Sequence, residues 1–227
     1  MTRSFENRSD AGRKLGERLH ELRGPSTVVV GVAPGGVPVA YEVAVALEAP
    51  LEAWAVHHLG SGEHPLEHVG AIAENGGHVL HPHGAHDKAS ADPELAQVAA
   101  REHHHLHRLT ATVHHHPRAS IRNQTVLLVD DGAASGAGAR AAVQAIRQEK
   151  PHRIIAAIPV ATRASLARID PYVDGLVCLQ QVDQVQEVID AYGRFEPVPD
   201  AEAAGLLDRR RHDLAARPSS IPSPPRR

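Results

Sequence analysis

Two adjacent carboxylates, Asp130 and Asp131, stand between an apolar run and a string of small residues, and positions 126–138 read VLLVDDGAASGAG. Each part of that string has a chemical use. Small residues let backbone N–H groups turn inward and approach a phosphate closely, the start of a helix adds partial positive charge, and the Ser135 hydroxyl supplies a further donor. The carboxylates would repel a phosphate, but they suit the vicinal hydroxyls of a sugar whose phosphate sits in the loop. An isolated Asp-Asp-Gly would be a strand-end turn with a helix cap. The whole series, apolar strand, acid pair and small-residue loop, points to a sugar-phosphate site.

The elements that must position this string alternate along the chain. Residues 8–23 place Ala11, Leu15, Leu19 and Leu22 at helical spacing among charges, with Ser9 and Asp10 as cap candidates. Gly24-Pro25-Ser26 breaks that helix, and 27–32 form the continuous apolar run of a strand buried on both faces. A glycine turn from Ala33 to Gly36 leads into a helix over 37–47 and a strand over 51–56. Residues 57–91, rich in Gly, His and Pro, read as a long, polar, mobile excursion with short apolar pieces at 69–73 and 78–80. A helix over 93–116, a strand over 125–129, a helix over 138–149, a strand over 153–160, a short helix over 165–169 and a strand over 175–179 follow. This alternation predicts an α/β fold, with a parallel sheet covered by helices on both faces and ligands bound at the carboxyl ends of the strands. One domain is expected over 1–214, and the Pro/Ser/Arg tail over 215–227 is expected to be disordered.

Composition narrows the function classes. Aromatic residues make up only 3% of the 227 positions, which argues against stacking platforms for single-stranded nucleic acid. With 24 basic and 27 acidic side chains there is no cationic excess to neutralise a phosphate backbone, so no nucleic-acid partner is expected. The lone Cys178 has no partner for an internal disulfide, and neither a signal pattern nor an apolar run of membrane-spanning length is present. A cytoplasmic protein without a membrane partner is the expectation.

The 126–138 string resembles the signature of the type I phosphoribosyltransferases, a hydrophobic strand, an acidic pair and a small-residue loop. Further likeness lies in Phe5 to Gly12, in Gly35 to Ala40, in Leu59-Gly60, in Gly70 to Glu74 and in Val177 to Leu179, so the resemblance spans roughly residues 5–205. It implies a Rossmann-like core of about five parallel strands, a flexible loop that closes over the site, and a small hood over 180–205 that selects the acceptor. It also implies 5-phosphoribosyl 1-pyrophosphate as the donor substrate, Mg²⁺ as the cofactor, and a small nitrogenous, nucleobase-like acceptor that displaces pyrophosphate. By that resemblance Asp130 and Asp131 hold the ribose hydroxyls, directly or through the metal. Ala134, Ser135, Gly136, Ala137 and Gly138 cradle the 5-phosphate, and Ala33, Pro34, Gly35 and Gly36 lie under the pyrophosphate. A homodimer is left open.

The match has gaps on the leaving-group side. The chain most resembles the bacterial branch of predicted phosphoribosyltransferases, whose members commonly carry Pro-Arg-Gly-Gly in the turn and Arg-Lys before Leu-Gly, whereas here Pro34 stands at the Arg position and His57-His58 at the Arg-Lys positions. Fixed cations that stabilise a departing pyrophosphate are each worth a few kcal/mol. His57 and His58 are therefore assigned as catalytic stand-ins that act when protonated. Ser135 and Gly138 occupy the positions of two threonines, and the serine alone keeps a hydroxyl. The second function reading is a catalytically degenerate module that binds a ribose phosphate or nucleotide for regulation. Fifteen of the 18 histidines fall between His57 and His116. Of these, His103, His104, His105 and His107 lie on an expected helix, where a solvated face, adventitious metal affinity and a metal pair at His103 and His107 are the competing readings.

Overall fold

The computed structural model describes residues 3–61, 64–80 and 93–216. Seven strands form one sheet in the order β4-β3-β2-β1-β5-β6-β7. Their ranges are β1 Thr27–Ala33, β2 Leu51–Ser61, β3 His64–Ala73, β4 His78–Leu80, β5 Thr125–Val129, β6 Arg153–Thr162 and β7 Gly175–Val182. The five strands β2, β1, β5, β6 and β7 are mutually parallel, as the alternation requires. Every residue of β1 and β5 is buried, which is why both read as unbroken apolar runs.

Helices cover both faces. On one side Leu51, Ala53 and Ala55 of β2 pack with α2 (Gly36–Leu47), α3 (Pro93–Val113) and α7 (Asp200–Ala215). On the other, Trp54 and Val56 pack against α4 (Ala137–Gln148). The alternation of burial along β2 follows from the period of two in a strand. The shorter helices α5 (Arg163–Ile169) and α6 (Val185–Asp190) follow β6 and β7.

Three expectations are corrected. The excursion expected over 57–91 is, in its described part, strand apart from a 3₁₀ turn over Glu74–Gly76. β2 continues through His57 and His58 to Ser61, β3 returns antiparallel along it with Val56 opposite Ala73 and His58 opposite Ala71, and β4 adds a further antiparallel strand. An edge left at β2 would carry unpaired backbone groups, and the Val69–Ala73 segment satisfies them while Ala71 and Ala73 join the apolar layer beneath Trp54. The sheet therefore has seven strands rather than five. Residues 62–63 and 81–92 of the expected loop, and 217–227 of the expected tail, lie outside the described residues. The hood range 180–205 contains α6 and the start of α7, a helix whose charged sequence hid its inner face of Ala203, Ala204, Leu207 and the buried Arg210. Arg210 Nε donates to the Ala49 carbonyl at 3.0 Å.

The first helix, α1 (Arg8–Arg18), is shorter than expected and ends in a 3₁₀ turn over His20–Leu22. Asn7 caps it by accepting from Asp10 N at 2.9 Å. A β-carbon at Gly12 would lie 2.6 Å from the Val39 carbonyl oxygen, so only a glycine lets α1 lie this closely on α2. That close crossing fixes where the first residue of α1 points.

Candidate active site

The carboxyl end of β5 and the turn that follows β1 meet at the acid pair. Asp131 N donates to Asp130 Oδ1 at 3.0 Å. Burial, followed by the charge of Asp131, pushes the Asp130 carboxyl well above the ordinary range for an aspartate. Asp131 has a cation beside it, because Arg8 Nε donates to its Oδ2 at 2.8 Å. Arg8 is also held by the Glu196 carbonyl, 2.7 Å from Nη1, and its guanidinium lies 3.9 Å from the centre of the Phe195 ring. Tyr192 donates its hydroxyl to the Asp131 carbonyl at 2.5 Å, and burial pushes the phenol far up.

The turn after β1 touches this pair. The Ala33–Pro34 peptide is cis. A β-carbon on Gly35 would sit 2.6 Å from Asp131 Oδ2, and one on Gly36 would sit 2.7 Å from the Val129 carbonyl oxygen and 3.0 Å from Asp130 Cα. Gly36 is therefore required by contact with the backbone of β5, while Gly35 lies against the Asp131 carboxylate. The expected pyrophosphate turn and the expected ribose acids are thus brought together.

The small-residue loop is braced from behind by β6 and α5. Thr162 N donates to the Ala133 carbonyl at 2.9 Å, the Ser165 hydroxyl reaches the same oxygen at 2.6 Å, and the Thr162 hydroxyl donates to the Ala134 carbonyl at 2.9 Å. In a planar trans peptide the N–H points opposite to the C=O. Pinning these two carbonyls toward α5 turns the N–H groups of Ala134 and Ser135 away from it, as an anion cradle needs. Gly136 takes a left-handed conformation with φ of 77°, and a side chain there would also crowd the Ser165 carbonyl at 3.1 Å. Ser135 Oγ accepts from Ala137 N at 3.3 Å at the start of α4.

The two histidines are separated. Strand alternation turns His58 toward α4, where a β-carbon on Gly138 would lie 3.0 Å from its Cε1 and 3.2 Å from its Nε2. His57 faces the opposite side of the sheet, where its Nε2 contacts the Glu102 carboxylate on α3. Of the two, His58 therefore reaches the small-residue loop, and its ring fills the space that a larger side chain at 138 would take. The histidines of the expected helix divide as well. His103, His104 and His107 are exposed, in keeping with a solvated face, while His105 turns inward to His57 and Glu102.

Sequence reasoning missed Arg8, Thr162, Ser165 and Tyr192. Arg8 left one signal, because a cation in the first turn of a helix opposes the macrodipole and so suggests an anionic partner elsewhere. The others act across long sequence separations, as with Thr162 on Ala134, and leave no local pattern.

The acid pair and the braced small-residue loop lie at the carboxyl ends of strands in an α/β sheet, where such folds bind their ligands. The family model of the phosphoribosyl transferase domain matches residues 5–193, and the chain belongs to that family. Two proteins of Mycobacterium tuberculosis, from strains CDC 1551 and H37Rv and both called "Putative phosphoribosyl transferase", are each 36% identical over 215 residues, 93% of this chain and 48% of the relative. The chain spans about half the length of these curated relatives. The crystal structure of TT1426 from Thermus thermophilus is 33% identical, covers 89% of this chain and 97% of its own, and superposes with a TM-score of 0.68. The structure of AQ2163 from Aquifex aeolicus, 10% identical with a TM-score of 0.51 over 78% of this chain and 76% of its own, shares the fold. No helix among the described residues is long and apolar enough to cross a membrane.

Proposed function

We propose that this domain binds 5-phosphoribosyl 1-pyrophosphate at the ends of β1, β2 and β5 and transfers its phosphoribosyl group to a nitrogen acceptor. The bond from the anomeric carbon to the pyrophosphate oxygen breaks, its electron pair leaves with pyrophosphate, and the acceptor nitrogen bonds to that carbon and gives up its proton. The observation that carries this reading is the braced loop beside the acid pair, with the N–H groups of Ala134 and Ser135 turned outward. The loop takes the 5-phosphate, Asp130 and Asp131 take the ribose hydroxyls, and the Ala33–Gly36 turn lies beneath the diphosphate.

The acid pair fits a divalent cation. Arg8 offsets only one of two adjacent carboxylates, and the remaining negative charge is part of what raises the proton affinity of Asp130. A hard ion with oxygen ligands relieves that repulsion, and Asp130 and Asp131 would hold Mg²⁺. When bound, the ion supplies charge neutralisation of the diphosphate. Tyr192 and Phe195, with Ile189 and Arg194, line a cavity of about 620 Å³ within the hood range expected to take the acceptor. Arg8, held between Asp131 and Phe195, joins that wall to the ribose site.

A specific observation favours a second reading, a domain that binds a ribose phosphate without turning it over. Pro34 occupies the turn, and His57 is engaged by Glu102 on the far side of the sheet, which leaves His58 as the one histidine of the pair against the phosphate loop. Pyrophosphate release across a panel of purines, pyrimidines and related ring acids, run beside calorimetry with 5-phosphoribosyl 1-pyrophosphate and Mg²⁺, separates the two. Release with one acceptor establishes the transferase, and silence with binding intact establishes the binding module. An Asp130→Asn, Asp131→Asn variant is expected to lose binding, and one that binds as well as the parent overturns both readings.

A further inference from the structure

On the face of β2 opposite the phosphate loop, His57, Glu102 and His105 converge. The Glu102 carboxylate contacts His57 Nε2 and lies 3.9 Å from His105 Nδ1 through the same oxygen. The two imidazoles meet edge to face with ring centres 5.5 Å apart. One candidate ligand atom from each residue lies within 4.8 Å of the other two. Glu102 and His105, three residues apart on α3, share a face of that helix, and β2 delivers His57 to it from the sheet. We propose that these three side chains bind a borderline transition ion of the Zn²⁺ type and thereby clamp β2 to α3.

The chemistry of the set selects the ion. Two imidazole nitrogens and one carboxylate oxygen suit Zn²⁺ and its first-row neighbours, whereas Mg²⁺ and Ca²⁺ prefer oxygen alone. Bond lengths of about 2.0–2.2 Å in a tetrahedron place ligand atoms roughly 3.4 Å apart, so closure from the observed separations asks for side-chain movements of about 1 Å. The fourth position stays open to water or another ligand. Glu102 is the best-buried member, with its side chain 16% exposed, and a single carboxylate serves both imidazoles there. A second group, His115, His116 and Asp208, is more open, with side chains 38%, 51% and 35% exposed, and its two histidines are adjacent in sequence. Because His58 follows His57 in β2, an ion held by His57 also anchors the strand that lays His58 on the phosphate-loop helix. The clamp stands apart from the acid pair, and its test needs no turnover.

The test uses the whole chain without a purification tag, stripped with a chelator and titrated with Zn²⁺ by calorimetry and with Co²⁺ by visible absorption. One ion is expected to bind at least about tenfold more tightly than any later one, with the intense absorption of four-coordinate cobalt. His105→Ala and Glu102→Gln should each weaken that first ion by about tenfold or more. A His103→Ala, His107→Ala variant and a His115→Ala, His116→Ala variant should retain it. At about a hundredfold excess over Kd, Zn²⁺ should raise the Tm of the parent by about 5 °C or more and leave that of His105→Ala nearly unchanged. Metal-free unfolding of each variant checks that it folds, and the cobalt spectrum of the parent tests the coordination without any variant. The proposal is overturned if no stoichiometric ion binds, if cobalt binds only in six-coordinate form, or if the first ion is lost in the His115, His116 variant and kept in His105→Ala.

Discussion

The two flanks of the strand-end cleft differ in what they offer the negative charge of the proposed ligand. On the β5–α4 flank the loop is made of backbone, its carbonyls pinned from behind by Thr162 and Ser165 and its chain turned by a left-handed Gly136. On the β1–β2 flank the turn is tightly packed against the acids, yet it carries no cationic side chain, and the nearby Arg8 comes from α1 and pairs with Asp131. Phosphate recognition can rest on amides that any small residue supplies. Stabilising a departing diphosphate calls for charged side chains, which single substitutions remove. One flank can therefore keep its chemistry while the other changes, and the same fold can pass from transfer to binding alone.

The largest effect is expected at the point where the flanks touch. Gly36→Ala places a β-carbon 2.7 Å from the Val129 carbonyl oxygen and 3.0 Å from Asp130 Cα, contacts with backbone that cannot swing aside. The turn must shift from the acids, and a displacement of about 1 Å is expected to lower ligand affinity or turnover by about a hundredfold. Gly24→Ala, with nothing within 4 Å, serves as the neutral control. Calorimetry with 5-phosphoribosyl 1-pyrophosphate and Mg²⁺ reads both. Equal affinity for the two variants would show that the turn does not need its contact with the acids.

Next in size is the brace on the other flank. The Ser165 hydroxyl is wholly buried, 2.6 Å from the Ala133 carbonyl and 2.9 Å from the Thr162 carbonyl. Ser165→Ala removes it and should cost about 1–3 kcal/mol of stability, lowering the Tm by roughly 3–10 °C in a chain of this size. Ligand affinity should fall with it, because the Ala134 N–H is oriented by the carbonyl that Ser165 holds. Stability lost with affinity intact would mean that Thr162 alone orients the loop.

The β5–α4 flank is legible in the sequence because its chemistry is contiguous: strand, acids and small residues occupy thirteen successive positions, 126–138. β1, β5 and β6 are legible for the same local reason, since nearly full burial on both faces writes an unbroken apolar run. β3 is hidden because its composition is that of a loop, and only the need of β2 for a pairing partner makes a strand of it. α7 is hidden because Arg210, buried against the Ala49 carbonyl, reads as surface. The site roles of Arg8 and Tyr192 are illegible for a different reason, because their partner, Asp131, is 123 and 61 residues away. His57 and His58 read as a pair in the sequence, although the alternation that divides them is itself a property of any strand. What conceals it is the loop-like composition of 57–91.

The smallest effect expected is the one that tests whether the flanks communicate through His58. Its ring lies over Gly138, so a side chain at 138 and the ring at 58 compete for one space. Gly138→Thr alone meets the imidazole at 3.0–3.2 Å, and because the ring is the far end of a side chain it can swing aside at modest cost. His58→Ala alone removes the ring from the helix start and should weaken phosphate binding a few-fold, whereas His57→Ala, on the other face, should change it less than twofold in the absence of metal. The double variant Gly138→Thr, His58→Ala restores a hydroxyl to the loop with room to hold it. Its affinity should exceed the product of the two single effects by about fivefold, a coupling of about 1 kcal/mol between residues in contact. Inorganic phosphate and 5-phosphoribosyl 1-pyrophosphate, titrated against all four forms, supply the cycle. Strict additivity would show that His58 and position 138 act independently, and an effect of His57→Ala as large as that of His58→Ala would show that the face of β2 does not decide which histidine the phosphate feels.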